Sequence, residues 1–229
     1  MRFLMLVLAL MLSPMAAAGK TFQVGLDAFN AGDFAAAERA WRPLAQAGDP
    51  AAQTRLGELY DHGRGVGLDH AEAVRWYRLA AERGHAPAQA NLGYAYEQGR
   101  GVAEDRVQAV HWYRLAADQG HAVAQNNLGY HYESGQGVAQ DYAEAIRLYE
   151  AAAAQENVTA QVNLGYVYQN GLGVPVNMWI AMRWYTFAAN QGNPFALYQL
   201  GRGFLYGEGV AQDDAEAFRL ISQAAEALT

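Results

Sequence analysis

The chain has 229 residues, of which 52% are hydrophobic and 17% charged, so it can bury a sizeable core and is not a disordered polymer. Its formal net charge is −7, with a single lysine, Lys20, and arginines scattered along the chain. It therefore lacks the clustered basic residues that a nucleic-acid partner requires. Cysteine is absent, which excludes disulfides, thiolate metal sites and a cysteine nucleophile.

The first predicted element is an export segment. Arg2 supplies a positive start, Phe3 to Leu12 is an unbroken apolar run, and Ser13-Pro14 breaks it before the small residues Ala16-Ala17-Ala18. A bilayer-spanning helix needs about 20 apolar residues, and this run is much shorter. Residues 1–18 read as a secretory signal peptide, leaving a mature chain near Gly19 that is periplasmic or secreted and has no stable membrane anchor.

Residues 19–48 read as a short capping hairpin. Ala37, Trp41, Leu44, Ala45 and Gly48 match a helix repeated later in the chain, and the loop Asn30-Ala31-Gly32-Asp33-Phe34 lacks the glycine insert of the later copies. The rest, residues 49–229, is five tandem copies with a period of 36: 49–84, 85–120, 121–156, 157–192 and 193–229. Leu56, Leu92, Leu128, Leu164 and Leu200 head the pattern, each followed by glycine; Tyr60, Tyr96, Tyr132, Tyr168 and Phe204 come four residues after each leucine.

Each copy predicts two helices. In the first copy, helix A spans about Ala52 to His62, with Ala52, Leu56, Leu59 and Tyr60 on one face. Paired glycines and a valine, such as Gly63, Gly65 and Val66, end it. Helix B follows an acid, and Asp69, Asp105, Asp141 and Asp213 each precede Glu or Gln by three, the pattern of a capping box. The fourth copy has Asn177 and Ile180 instead and keeps the cap without the box. Helix B carries aromatic and alanine layers, as in Ala109, Trp112, Tyr113, Ala116 and Ala117, which suit close packing of neighbouring hairpins. Gly84, Gly120 and Gly192 end helix B, whereas the third copy has Gln155-Glu156-Asn157 there. The fold class is all-α, six hairpins stacked in order.

Ala88 through Gly120 carries, almost complete, the pattern Ala-Gln-x-x-Leu-Gly-x-x-Tyr-x-x-Gly-x-Gly-Val-x-x-Asp-x-x-x-Ala-x-x-Trp-Tyr-x-x-Ala-Ala-x-x-Gly. This resembles the Sel1-like repeat, a relative of the tetratricopeptide repeat, over residues 21 to 228. The resemblance implies an α-solenoid that serves as a protein–protein interaction scaffold. It implies a fold and not a particular ligand.

A solenoid usually binds on the concave face lined by its first helices. Beside the core stripe of helix A stand Asn91, Tyr94 or Ala95, and Gln98; then Asn127, Tyr130 or His131, and Ser134; then Asn163, Tyr166 and Asn170. Asparagine can donate to and accept from a peptide backbone, and tyrosine adds flat apolar area with a polar tip. These residues are the candidate contacts for an extended peptide or a partner's helix. The same asparagines also suit a structural role between hairpins. The end copies differ, with Arg55 and Glu58 in the first and Gln199 and Arg202 in the fifth.

No catalytic residue, metal site or cofactor is expected. The serines, Ser13, Ser134 and Ser222, form no Ser-x-x-Lys or Gly-x-Ser-x-Gly motif. The Gly-x-Gly-Val loops follow a helix and not a strand, so they read as helix ends. His85 and His121 lie one repeat apart, about 10 Å by helix-packing distance, too far to share a zinc whose bonds are about 2 Å. His62, His70, His111 and His131 have no ligand spacing. A cysteine-rich branch of the resembled family includes penicillin-binding or weak β-lactamase proteins, which leaves a cell-wall hydrolase as an alternative; a secreted host-interaction factor is another. The chain is expected to act as a monomer whose partner is a protein or peptide.

Overall fold

The computed structural model describes residues 14–227. The expected export segment therefore lies outside the described residues up to position 13, and helix α1 runs through its cleavage position. Among the described residues there are twelve helices and no strand: α1 (Pro14–Asn30), α2 (Phe34–Gln46), α3 (Pro50–His62), α4 (His70–Ala81), α5 (Ala86–Gln98), α6 (Arg106–Asp118), α7 (Ala122–Ser134), α8 (Tyr142–Ala153), α9 (Val158–Asn170), α10 (Met178–Asn190), α11 (Pro194–Tyr206) and α12 (Asp214–Glu226). They form two compact units: Met1–Ala88 with Arg100–Val102, and Gln89–Gly99 with Ala103–Thr229. The first holds the hairpins α1/α2 and α3/α4. The second holds the hairpins from α5/α6 to α11/α12. Each unit stacks its hairpins in chain order, as an α-solenoid does. None of these helices is long and apolar enough to cross a membrane.

The helix starts follow from local chemistry. Asp69, Asp105, Asp141, Asn177 and Asp213 cap α4, α6, α8, α10 and α12 by accepting a first-turn N–H. The reciprocal half of the expected box is absent. Each cap's own N–H donates to a helix-A carbonyl, that of Tyr60, Tyr96, Tyr132, Tyr168 or Phe204. With that donor satisfied, Glu72, Glu144 and Glu216 pair instead with Arg75, Arg147 and Arg219 one turn on. This is why the fourth copy loses nothing by having Ile180 at the box position.

The hairpin core is a ring-on-backbone seam. Tyr113, Tyr149 and Tyr185 are fully buried. Each ring lies against the helix-A glycine of its own hairpin, Gly93, Gly129 or Gly165, where a Cβ would come within 3 Å of the ring. In the first unit Trp41 and Leu56 anchor the core with Ala37, Ala45, Ala52 and Leu59. Glutamines stitch the helices at one level: Gln119, Gln155 and Gln191 donate through Nε2 to Oε1 of Gln89, Gln125 and Gln161 at 2.7, 2.9 and 2.9 Å. Gln53 and Gln125 donate in turn to the Ala45 and Ala117 carbonyls of the preceding helix B.

The third copy's departure has a conformational signature. Glu156 stands where three other copies place Gly84, Gly120 and Gly192, and it adopts a positive φ of 61°. A left-handed conformation costs a non-glycine residue about 1–2 kcal/mol. Glu156→Gly is therefore expected to stabilise the protein by about 0.5–1 kcal/mol, after the added flexibility of the unfolded chain is set against it. A higher urea midpoint would show it; an unchanged or lower one would contradict it.

Candidate protein-binding face

The candidate contacts all belong to the second unit, on α5, α7 and α9. Helical geometry explains which of them reach the surface. Leu92, Leu128 and Leu164 point into the core, so the residue two further along projects outward and the residue three further along turns back in. Tyr94, Tyr130 and Tyr166 are accordingly 42%, 44% and 45% exposed. Ala95, His131 and Val167 are buried beside them. Of the alternatives open in the sequence, tyrosine is thus the outward residue in each copy.

His131 needs correction as a surface contact, because it is completely buried. It occupies the same register position as Leu59, Ala95 and Val167, and its ring packs 5.7 Å from that of Tyr113. Its Nδ1 hydrogen-bonds the Gln136 carbonyl at 2.7 Å, and its Nε2 lies 3.8 Å from Glu97 Oε1. The aliphatic residues at the equivalent positions were the available signal for this burial.

The asparagines divide. Asn163 Nδ2 donates to Asn126 Oδ1 at 3.0 Å, and Asn126 Nδ2 donates to Asn127 Oδ1 at 3.2 Å, so these three link α7 to α9. Asn126 is the member of this chain that sequence reasoning missed, because the other copies hold threonine, alanine, valine or tyrosine there. Asn170 Nδ2 donates back to the Tyr166 carbonyl at 2.8 Å, and Ser134 Oγ does the same to Tyr130. Asn91 is half-buried and Gln98 is exposed. Arg55 and Glu58 pair at 2.8 Å, and Arg202 contacts Gln199 at 3.4 Å.

Beneath the exposed tyrosines lies a second row. The hydroxyls of Tyr113, Tyr149 and Tyr185 donate to Glu97, Glu133 and Gln169 at 2.6, 2.8 and 2.7 Å. Burial, reinforced by the Glu97 and Glu133 carboxylates in the first two, pushes these phenols far above their ordinary pKa. They stay neutral at physiological pH and cannot serve as general bases. No group of three His, Asp or Glu among the described residues is placed to hold a metal ion. The arrangement offers rigid half-exposed rings over a neutral and acidic hydrogen-bonded floor. That arrangement can hold a partner by stacking and hydrogen bonding.

Comparison with known proteins agrees with this architecture. The family model for the Sel1 repeat matches residues 50–85, 86–121, 122–157, 158–193 and 194–227. A Sel1 repeat protein from Oxalobacter formigenes is 33% identical, with a TM-score of 0.84 over 90% of this chain and 82% of that one. A protective antigen present in uropathogenic Escherichia coli strains, which displays an SLR fold, is 38% identical with a TM-score of 0.84 over 91% of this chain. The chain spans 46% of that antigen's length. An immunity protein from Pseudomonas aeruginosa, 19% identical with a TM-score of 0.61 over 92% of this chain and 82% of that one, shares the fold. No curated protein matches the chain. The chain belongs to the Sel1 repeat family, whose members are generally protein–protein interaction scaffolds.

Proposed function

We propose that this protein is an exported, non-enzymatic adaptor that holds a peptide or protein partner on the face of its first helices. The observation that carries the reading is the row of Tyr94, Tyr130 and Tyr166, outward at one register position in three consecutive hairpins while their neighbours are buried. Half-exposed aromatics backed by a rigid scaffold bind at low entropic cost. Asn91, Gln98, Asn127, Asn163 and Asn170 flank the rings and supply polar specificity. The apolar run Phe3 to Leu12 after Arg2 supports export to the periplasm or beyond.

The test is affinity capture from periplasm followed by mass spectrometry, comparing the wild-type chain with a Tyr94→Ala, Tyr130→Ala, Tyr166→Ala variant. Capture of a specific partner is expected, with its loss in the variant at unchanged helical content. Interface aromatics cost at least about 2 kcal/mol each when truncated at a hot spot, so the three together remove binding by several orders of magnitude. Retained capture in the variant overturns the assignment of this face. A second reading, a secreted factor that meets a host, draws on the likeness to the E. coli protective antigen. The same capture run from culture supernatant with host extract addresses it.

A further inference from the structure

Three register positions recur where the second helix of one hairpin meets the next hairpin: one on that helix, then one on each helix that follows. Between α2 and α3/α4 they hold Arg42, Tyr60 and Trp76. Arg42 donates to the Tyr60 hydroxyl at 2.8 Å, and Trp76 packs on the core of Trp41 and Leu56. Between α6 and α7/α8 they hold Arg114, Tyr132 and Leu148. Leu148 is short, and the Arg114 guanidinium lies over the Tyr132 ring, 5.8 Å from its centre. Between α8 and α9/α10 they hold Glu150, Tyr168 and Trp184, and Trp184 packs against the cluster around Ala153, Leu164 and Tyr168. Each of these seams has an arginine or a tryptophan to fill the space between three helices. The seam between α10 and α11/α12 has neither, for it holds Thr186, Phe204 and Leu220. A pocket of about 370 Å³ lies there, lined by all three. Its floor repeats that of the preceding seam, with Ala189, Leu200 and Phe204 standing where Ala153, Leu164 and Tyr168 receive Trp184. The pocket belongs wholly to the second unit. The Trp184 cluster draws on α7 to α10 and the loop after α9, with no described residue of α11 or α12 in it, so a seam of this kind closes without a following hairpin.

We propose that this pocket binds an indole-class ring, flat, bicyclic and carrying one N–H donor. Three observations choose that ligand. The floor is the one on which the chain seats its own indole in the seam before, so ring shape and apolar area match. At the rim, the Thr186 hydroxyl gives its proton to the Met182 carbonyl at 2.8 Å and can then only accept, which selects a donor. Arg219, held by Glu216 at 2.6 Å, also borders the pocket and can lie against a ring face, as Arg114 does over Tyr132. The volume falls in the range of small-ligand sites, about 300–1,000 Å³. The site is built on α10, α11 and α12, and it does not depend on the tyrosine row of α5, α7 and α9.

The test uses the full chain and a fluoroindole followed by fluorine NMR. Saturable binding with a Kd on the order of 0.1 mM is expected. Leu220→Trp restores the side chain of the preceding seam. It should abolish the binding and raise the melting temperature by about 2–5 °C, as cavity filling does. Thr186→Arg fills the same space from α10, as Arg114 does from α6, and should abolish binding too. It provides the same readout where the tryptophan variant does not fold. N-acetyltryptophanamide separates the two sources of such a ring. Binding comparable with that of the free probe points to a tryptophan side chain of a polypeptide, and its absence beside a bound fluoroindole points to a free small molecule. No saturable binding to the wild-type chain at millimolar probe, or binding undiminished in a folded filled variant, overturns the proposal.

Discussion

Tyr149→Ala is expected to destabilise the second unit by about 3–5 kcal/mol, the cost of removing a buried aromatic and leaving its cavity. The ring is fully buried among Ala145, Ala152, Ala153, Ala160, Leu164 and Val167. It also lies on the backbone at Gly129, where no side chain of the opposing helix exists to move into the gap. Truncation further strips Glu133 of the hydroxyl that donates to it at 2.8 Å. Tyr149→Phe separates the two contributions. It keeps the ring and deletes one hydrogen bond to a carboxylate, so it should cost about 1.5–3 kcal/mol, less than the truncation. Chemical denaturation of both variants checks the pair of numbers. Similar losses for the two would mean that the hydroxyl and not the packing dominates.

Gly137→Ala is expected to cost roughly 2–6 kcal/mol, from two effects acting together. The backbone at Gly137 has φ 73°, which an alanine adopts only under strain. A Cβ there would also meet the Arg106 carbonyl oxygen of the preceding hairpin at 2.3 Å. That obstacle is main chain at the start of α6, so relief requires moving a helix end and not a side chain. Gly135→Ala provides the control. It has φ 69°, yet its added Cβ meets the Gln140 side chain at 3.3 Å and no main chain of another hairpin. It should lose only the conformational part, about 1–2 kcal/mol. Comparable unfolding midpoints for the two variants would refute the idea that this loop is wedged between hairpins.

The hairpins were readable from sequence because their signals are local and repeated. Leu92 with Gly93 and the glycines at 99 and 101 recur at one spacing in every copy, the acid at Asp105 in four of the five, and each acts within a turn or two of its own position. What escaped depends on neighbours distant in the chain. The acid and the Glu or Gln at 69/72 or 141/144 spell a capping box, yet the cap's N–H is taken by a tyrosine carbonyl nine residues back. His131 looks like a surface residue by composition, although Leu59, Ala95 and Val167 at its register position point inward; its contact with Tyr113 and its bond to Gln136 hold it there. The outward tyrosines were among the candidates read from the sequence, but position alone left Tyr130 and His131 undecided. The dual use of Asn127 and Asn163 was likewise left open, since the link through Asn126 joins two different hairpins.

The glutamine stitches have a consequence for how such a chain changes length. Gln125 accepts from Gln155 of its own hairpin and donates to Ala117 of the one before. Gln53 makes the same backward bond to Ala45 in the first unit. Gln125 thus ties its own hairpin together and ties it to the one before, at one level. Excising or duplicating 36 residues in register would keep such glutamines at the level of their partners, whereas another increment would shift them away. Growth and loss by whole modules is the path of least resistance for this molecule.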